Sequence, residues 1–566
     1  MKKSILSITI FVFLFILFSF SYSSSTIFLS YGAYFKAPVS PFGPVINDPN
    51  LMVEKVNDKP LNITTSLAFL GPNDILVTEK ETGKVIRVID GQVKENVPLL
   101  DVEVATGMER GLLGLTLSKS MNDTTTYVFL YYTESGSGKD GDDVIAGVEP
   151  VGNRLYKYEY HDGKLINPTL LLDLPATPVN NKGEHNGGKV IIGPDNNIYT
   201  VIGDVGAHRT QSQNVAKGSA ADGTSGIIRI TPTGESAGEP IFGAEGPLKY
   251  YYAMGIRNSF GIDFDPLTGI LWATENGPAA GDEINMVEPG FNSGWAQIQG
   301  FVDSDVLNRG KSVKDLLILG DAKYSDPEFS WNTTVGVTDA KFFSSDKLGK
   351  EYENNLFVGD INNGYIYRFT LNSERNSIEI NNSSYDGNLE TLADKEVNNP
   401  KEVIPLIFGS GFGGITDLEV GPDGYLYVLT YFGEIYRIIP KLNLINSDNI
   451  LHTSKLPPPL TQSTTSISNS TLVQIKGIEG NKSYNPNPVM VKEGQQILWV
   501  NGDAISHTVT SNSPENESRS DSGKLFDSTA ILPGHSYSKA FDIPGTYSYY
   551  CFYHPNMIGK VLVESK

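Results

Sequence analysis

The chain has 566 residues with 44 basic and 65 acidic side chains, giving a formal net charge of −21. That length exceeds what one hydrophobic core usually organises, so two or more domains are expected. The acidic balance argues against nucleic acid and anionic membrane as partners and suits solubility and cation binding, and a single cysteine excludes any internal disulfide.

The chain opens MKKSILSITIFVFLFILFSF, two lysines and an apolar run from Ile5 to Phe20 that ends in serines. This layout predicts a secretory signal peptide over residues 1–25 and a secreted or extracytoplasmic, cell-surface-associated protein. Contact with a membrane follows only if that segment is retained as an N-terminal anchor. Eight Asn-x-Ser/Thr sequons, at Asn62, Asn122, Asn332, Asn381, Asn382, Asn469, Asn481 and Asn516, are compatible with export and surface glycosylation.

Residues 31–440 repeat themselves. LGPNDILVTEKETGKVIRVI (70–89), IGPDNNIYTVIGD (192–204), FDPLTGILWATENG (264–277) and VGPDGYLYVLTYFGEIYRII (420–439) each place a tight turn before an alternating apolar strand, often followed by a second strand. TTTYVFLYYT (124–133) and NNLFVGDINNGYIYRFTL (354–371) are looser copies, which makes six units. Six hairpin-bearing units, 57 glycines and no amphipathic helix predict an all-β chain built on a six-bladed β-propeller. A tandem of β-sandwiches would also give short strands at regular spacing.

Four segments of this part are richer in polar and Gly residues than strand pairing requires: GMERGLLGL (107–115), EHNGGKVIIGPD (184–195) with IGDVGAH (202–208), MGIRNSFGIDFDP (254–266) and ENGPAAGDEIN (275–285). Loops on a rigid scaffold are where ligand sites collect. In order and spacing these motifs resemble the soluble quinoprotein sugar dehydrogenases, the glucose/sorbosone dehydrogenase family, which carries pyrroloquinoline quinone (PQQ) and calcium on a six-bladed propeller. The resemblance implies an aldose or related alcohol as substrate. It makes His185 the general base that takes the hydroxyl proton as hydride passes to the quinone, and Asp204 the group that orients it. It places Arg257 and Asn258 against the reactive quinone carbonyl, where a fixed cation stabilises developing charge. By the same resemblance Gly277 and Pro278 offer backbone carbonyls to the cofactor's calcium, and Asp282 and Glu283 are candidates for a second, structural calcium.

The chain also departs from that family. An Arg-x-Arg pair expected against the quinone carboxylates is replaced by Gly414 and Thr416 in GGITDLEVGPDG, and an expected lysine by Asn362 in GDINNG. Each missing charge-assisted hydrogen bond is worth roughly 1.5–3 kcal/mol. Lys341 is the cation put forward as a substitute.

Residues 441–471 lose periodicity and include KLPPPLTQSTTSISNST, a composition that predicts an extended linker. Beyond it, residues 472–566 read as strands throughout, VMVKEGQQILWVN, SHTVTS, HSYSKAFDIPGTYSYYC and KVLVES, which predicts a small Greek-key β-sandwich. Cys551, His554 and Met557 share one tight loop between two strands, and His507 lies in an earlier strand. A thiolate, two imidazoles and a soft thioether are the set that selects type 1 (blue) copper, whereas zinc gains little from methionine. His452 and His535 are read as solvated surface residues. The module resembles the cupredoxins, and its C-x-x-H-x-x-M spacing looks most like the amicyanin subgroup, which implies a one-electron copper carrier.

Two functions are therefore expected. In the first, the propeller oxidises a sugar or alcohol and the tethered copper domain accepts the electrons and passes them to a redox partner or respiratory-chain component. In the second, the propeller is a non-catalytic binding or docking scaffold and only copper is redox-active. A multicopper oxidase or nitrite reductase would need further histidines than the three in the propeller, His161, His185 and His208.

Overall fold

The computed structural model describes residues 43–441 and 470–565, apart from 120–124, 146–147, 178–182, 207, 381–391, 400–401, 478–479, 504–506, 512–524, 529–530, 532–535, 552–553 and 555–556. The predicted signal segment, the sequons at Asn122, Asn381, Asn382, Asn469 and Asn516, linker residues 442–469 with His452, and His535 lie outside the described residues. Among the described residues no helix is long and apolar enough to cross a membrane.

Each of the six repeated stretches falls in a different β-sheet. The innermost strands of these sheets are Thr64–Gly71, Leu112–Lys119, Val190–Ile192, Ile262–Phe264, Val337–Phe342 and Ile415–Val420. They pack against one another in that order, and the sixth packs against the first, so the sheets close into a six-bladed propeller. The Pro-containing turns read from the sequence join the first strand of a blade to its second. Asn73 and Asn196, in two of them, take φ of 55° and 61°, a left-handed conformation that asparagine tolerates better than most residues.

Facing sheets bury aromatic side chains between them. Between the fourth and fifth blades Trp272, Phe329, Trp331, Phe342, Tyr367 and Phe369 form one fully shielded cluster, with Phe329 and Trp331 edge to face at 4.8 Å. Large apolar surfaces in offset contact contribute most of the cohesion of such layers. The described helices Asp142–Ile145 and Asp305–Asn308 are single turns, as the lack of helical periodicity predicts.

The ring is closed by the chain's own start. Leu51–Lys55 pairs antiparallel with Ile435–Pro440, from Leu51 opposite Pro440 to Lys55 opposite Tyr436, and completes the last blade. The Lys441 amide then donates to the Asn50 carbonyl at 2.7 Å.

Residues 470–565 form two four-stranded sheets. One holds Tyr484–Asn485, Ser470–Ile475, Gln496–Asn501 and Ser536–Ala540; the other holds Val489–Lys492, Ile558–Glu564, Gly545–Tyr550 and Thr510–Ser511. Trp499, Tyr549, Tyr484 and Phe541 fill the space between them. Ser470–Ile475 pairs in parallel with Gln496–Asn501, so the linker expected to run to residue 471 ends earlier, inside the span read as structureless.

At the propeller axis lies a buried ionic cluster. Lys189 donates to Asp339 at 2.9 Å and to Asp417 at 2.5 Å. Asp417 also accepts from the Leu67 amide and the Ser66 hydroxyl, and Asp339 from the Leu418 amide. One ammonium thus ties strands of four blades. Removing one partner of a buried ion cluster typically costs about 3–5 kcal/mol, because the opposite charge is left uncompensated. Lys189→Met is therefore expected to lower propeller stability by that amount in urea unfolding followed by tryptophan fluorescence; an unchanged midpoint would refute the central role of this lysine.

Candidate functional site

One end of the axis opens into a cavity of about 390 Å³, within the size range of small-molecule and cofactor pockets. Glu109, His185, Arg257, Asn258, Gly277 and Asp282 all line it, so the four motifs, spread over residues 107–285, converge in one place. Gly203 explains part of the convergence. A Cβ there would come within 2.6 Å of the carbonyl oxygens of both His185 and Arg257, so only glycine lets these two segments approach across one strand end.

His185 has a φ of 63°, an unusual conformation for a residue with a Cβ and one that needs support from its surroundings. Its amide donates to Glu109 Oε2 at 2.6 Å. Its Nδ1 lies 2.5 Å from Asp204 Oδ1, and the other oxygen of that buried carboxylate accepts from Trp295 Nε1 at 2.8 Å. The pairing of Nδ1 with a carboxylate fixes the imidazole tautomer and leaves Nε2 as the nitrogen available to a ligand. Asn258 Nδ2 donates to the same Glu109 oxygen at 3.0 Å. Arg257 donates from one terminal nitrogen to the carbonyls of Asn276 (2.9 Å) and Gly277 (3.1 Å), and its guanidinium stacks on Trp295. Glu109 and Trp295 are thus part of the site although sequence reasoning did not single them out. Glu109 stood in one of the four quoted motifs; Trp295 carried no motif.

Two expectations are corrected. Asp282 and Glu283 are adjacent on the strand Asp282–Val287 and therefore project to opposite faces. Asp282 accepts from the amides of Gly277, Val335 and Gly336, whereas Glu283 accepts from Asn285, Gln299 and the Gly300 amide. Their carboxylates do not converge on one ion. Lys341, expected as a substitute cation in the cavity, is instead bound to Glu419 at 2.8 Å and Asp263 at 3.5 Å away from it. Thr416 and Asn362 do line the cavity, and they are neutral. Pro278 is exposed beside Gly277 and does not line it.

Glu283 has a different partner. It stands opposite Glu275 across the sheet, and the Ser293 hydroxyl reaches both carboxyls, at 2.6 Å and 3.3 Å. Burial pushes both up, and repulsion from Glu275 adds to the rise at Glu283; Glu275 moves from the usual 4.5 to about 7. The Arg257 amide rests on Glu275, so this pair forms the floor under the cavity's arginine.

The second site lies in the small sandwich. Cys551 Sγ is 3.7 Å from His507 Nδ1 and 3.4 Å from His554 Nδ1. An ion bonded at the zinc-like distances of about 2.0 Å to nitrogen and 2.3 Å to sulfur needs nitrogen–sulfur separations of about 3.5–3.7 Å, so the three donors are already set for a small first-row metal. Among the described residues they are the group assembled to hold a metal ion. The loop closes on itself: the Cys551 amide donates to the Met557 carbonyl, His554 to Cys551 and Met557 to His554. Met557 is fully buried in the same core, and the Thr508 amide donates to the thiol sulfur at 3.3 Å. Burial raises the Cys551 thiol, but the two imidazoles outweigh it and hold the thiol down at about 5, in the range of a metal-ready thiolate. His507 Nε2 is held by Asp503 at 2.7 Å, which leaves Nδ1 for the metal.

These geometries agree with comparisons to known proteins. A family model described as Glucose / Sorbosone dehydrogenase matches residues 61–437, and one for copper binding proteins of the plastocyanin/azurin family matches residues 471–564. The chain is 25% identical to the aldose sugar dehydrogenase YliI of Escherichia coli over 395 residues, covering 69% of this chain and 93% of that protein. It is 29% identical to quinoprotein glucose dehydrogenase B of Acinetobacter calcoaceticus over 280 residues, 45% of this chain and 56% of that one. Amicyanin-alpha of Methylorubrum extorquens is 37% identical over 76 residues, 13% of this chain and 60% of its own length.

Two measurements follow from these sites. The raised Glu275 and Glu283 carboxyls make the folded state hold extra protons above the ordinary carboxyl range, so this contribution to stability is complete at low pH, and the share of Glu275 is lost as pH rises through about 7. The propeller's melting temperature is expected to fall from about pH 5 to about pH 8 on this account, with a shallower fall in Glu275→Gln; equal slopes would disprove the assignment. In the copper-loaded protein, Asp503→Asn weakens the donor strength of His507 and is expected to raise the copper reduction potential in a redox titration. No shift would mean that Asp503 is a spectator.

Proposed function

Because the chain belongs to the glucose/sorbosone dehydrogenase family over residues 61–437 and ends in a copper-binding module of the plastocyanin/azurin family, we propose that it is an exported oxidoreductase. Its propeller oxidises an aldose or related alcohol, and its type 1 copper centre relays the electrons onward. The observation that carries this reading is the convergence on one cavity of a carboxylate-oriented imidazole with a fixed guanidinium and amide.

PQQ with calcium is the redox group this reading requires, supported by the motif resemblance and by a relative that is named a quinoprotein. The cavity suits it in size, and Asn258 Oδ1 and Thr338 Oγ1 on the cavity wall are buried without hydrogen-bond partners. Bound there, the quinone supplies a two-electron acceptor for hydride. The chain's own residues supply the rest. His185 Nε2 takes the proton of the substrate hydroxyl, and Asp204 stabilises the imidazolium that forms. Arg257, held by two carbonyls, stands as a preorganised cation next to developing negative charge. The Gly277 carbonyl, which here accepts from Arg257, is the hard oxygen donor that the cavity would offer to calcium, whereas Pro278 lies outside the lining.

Copper held by His507, Cys551 and His554 would supply a one-electron acceptor, so the two electrons of one substrate molecule would leave singly, with an external redox partner reoxidising the centre in between. Attachment in the same chain raises the acceptor's effective concentration beside the cavity. The docking-scaffold reading is favoured by one observation, the neutral Thr416 and Asn362 side chains on the cavity wall.

The two readings part in one experiment. Full-length protein loaded with copper, calcium and PQQ is mixed with aldoses while the intense copper–thiolate absorption is followed. Sugar-dependent bleaching is expected, slowed about 10²- to 10⁴-fold in His185→Ala through loss of the general base. A band indifferent to every aldose would leave the scaffold reading.

A further inference from the structure

The cavity contains a cation that the reading above does not use. Lys80 follows the strand Asp74–Glu79, lines the cavity and is 5% exposed. Other cations there are engaged: Lys189 by Asp339 and Asp417, Arg257 by two carbonyls. Lys80 has one carboxylate in range, Glu81 at 4.0 Å, beyond hydrogen-bonding distance. The nearby acids are committed elsewhere. Asp143 is bonded to Arg110 and to the amides of Thr106 and Gly107, and Glu109 to the His185 amide and Asn258. Among the described residues the Lys80 ammonium has no hydrogen-bond partner.

A lysine side chain this buried is usually paired, whereas the Lys80 ammonium meets only the cavity. Burial pulls the Lys80 ammonium down from its ordinary range, and an arriving anion would push it back up. Its location is informative. The Lys80 amide donates to the Ile63 carbonyl, the adjoining Thr64 amide to Tyr431, and the Tyr431 amide to Gly414. This backbone path places Lys80, from the first blade, beside the sixth-blade wall, where the lining residue Thr416 is neutral.

We propose that Lys80 is the carboxylate receptor of the propeller cavity, and that the site takes a ligand carrying at least one carboxylate. The carboxylate belongs either to an acidic quinone such as PQQ or to an acid sugar. The inference deepens the dehydrogenase reading and rests on it for the choice of probes.

The test is calorimetric titration of the full-length, calcium-loaded protein with PQQ, PQQ trimethyl ester, glucuronate and glucose, in the wild type, Lys80→Met and Lys80→Arg. The wild type is expected to bind the acid form of PQQ more tightly than its ester. Lys80→Met should weaken PQQ on the order of 10- to 100-fold, the worth of one charge-assisted hydrogen bond, and bring acid and ester close together. Lys80→Arg should keep most of the affinity. Without ligand, Lys80→Met should melt no lower than the wild type, since it removes an uncompensated buried charge. If glucuronate alone shows the dependence on Lys80, the carboxylate comes from the substrate and not from the quinone, and the inference then stands with an acid sugar as the ligand. Equal PQQ and glucuronate affinities in wild type and Lys80→Met would overturn the inference even where PQQ binds and the dehydrogenase reading survives. A wild type that binds neither acid overturns it as well.

Discussion

The structure depends on a charge held where six sheets meet. Lys189 comes from the third blade, Asp339 from the fifth and Asp417 from the sixth, and Asp417 also holds two residues of the first. Glu419 extends the network to Lys341, which reaches Asp263 in the fourth blade. Apolar packing between blades is not directional, so it can hold the sheets together without fixing their rotation about the axis. Buried hydrogen-bonded charges do fix it, because small displacements leave a charge unsatisfied. The cavity lies on this cluster, with Lys189 contributing to its lining. The positions of His185 and Arg257 relative to each other are therefore inherited from the axis.

Much of this was legible in the sequence because it is local. A Pro-containing turn followed by alternating apolar residues is a local hairpin signal, and four such units with two looser copies made the propeller readable. The copper ligands were legible because three of four lie within seven residues of Cys551 and their donor types are distinctive. What could not be read is long-range. The strand Leu51–Lys55 finds its partner about 380 residues away, and nothing in LMVEK names it. Lys341 looked available until folding brought Asp263 and Glu419 to it. Asp282 and Glu283 looked like a pair because they are neighbours in sequence, yet strand geometry separates neighbours and unites residues across the ladder, such as Glu275 and Glu283.

The chain separates two kinds of chemistry by dielectric as well as by domain. In the sandwich, burial gathers soft donors around one thiolate, which suits a centre that changes charge by one with little rearrangement. In the propeller, the lining mixes acids, cations and amides. The buried carboxyl pair beneath Arg257 adds to that mixture, since burial raises both acids and the Ser293 hydroxyl reaches each of them.

The closure of the last blade has a further consequence. A ring whose two ends meet in one sheet has a seam, and here the seam is the ladder from Leu51 opposite Pro440 to Lys55 opposite Tyr436. Opening it does not cost one blade alone. The strand Ile415–Val420 belongs to that same sheet and carries Asp417 to the axis, so a parted seam loosens the clamp on Lys189 and, through it, the cavity lining. Local opening and loss of the site are in this way one event, and the cooperativity of the whole propeller rests on a five-residue strand near its beginning.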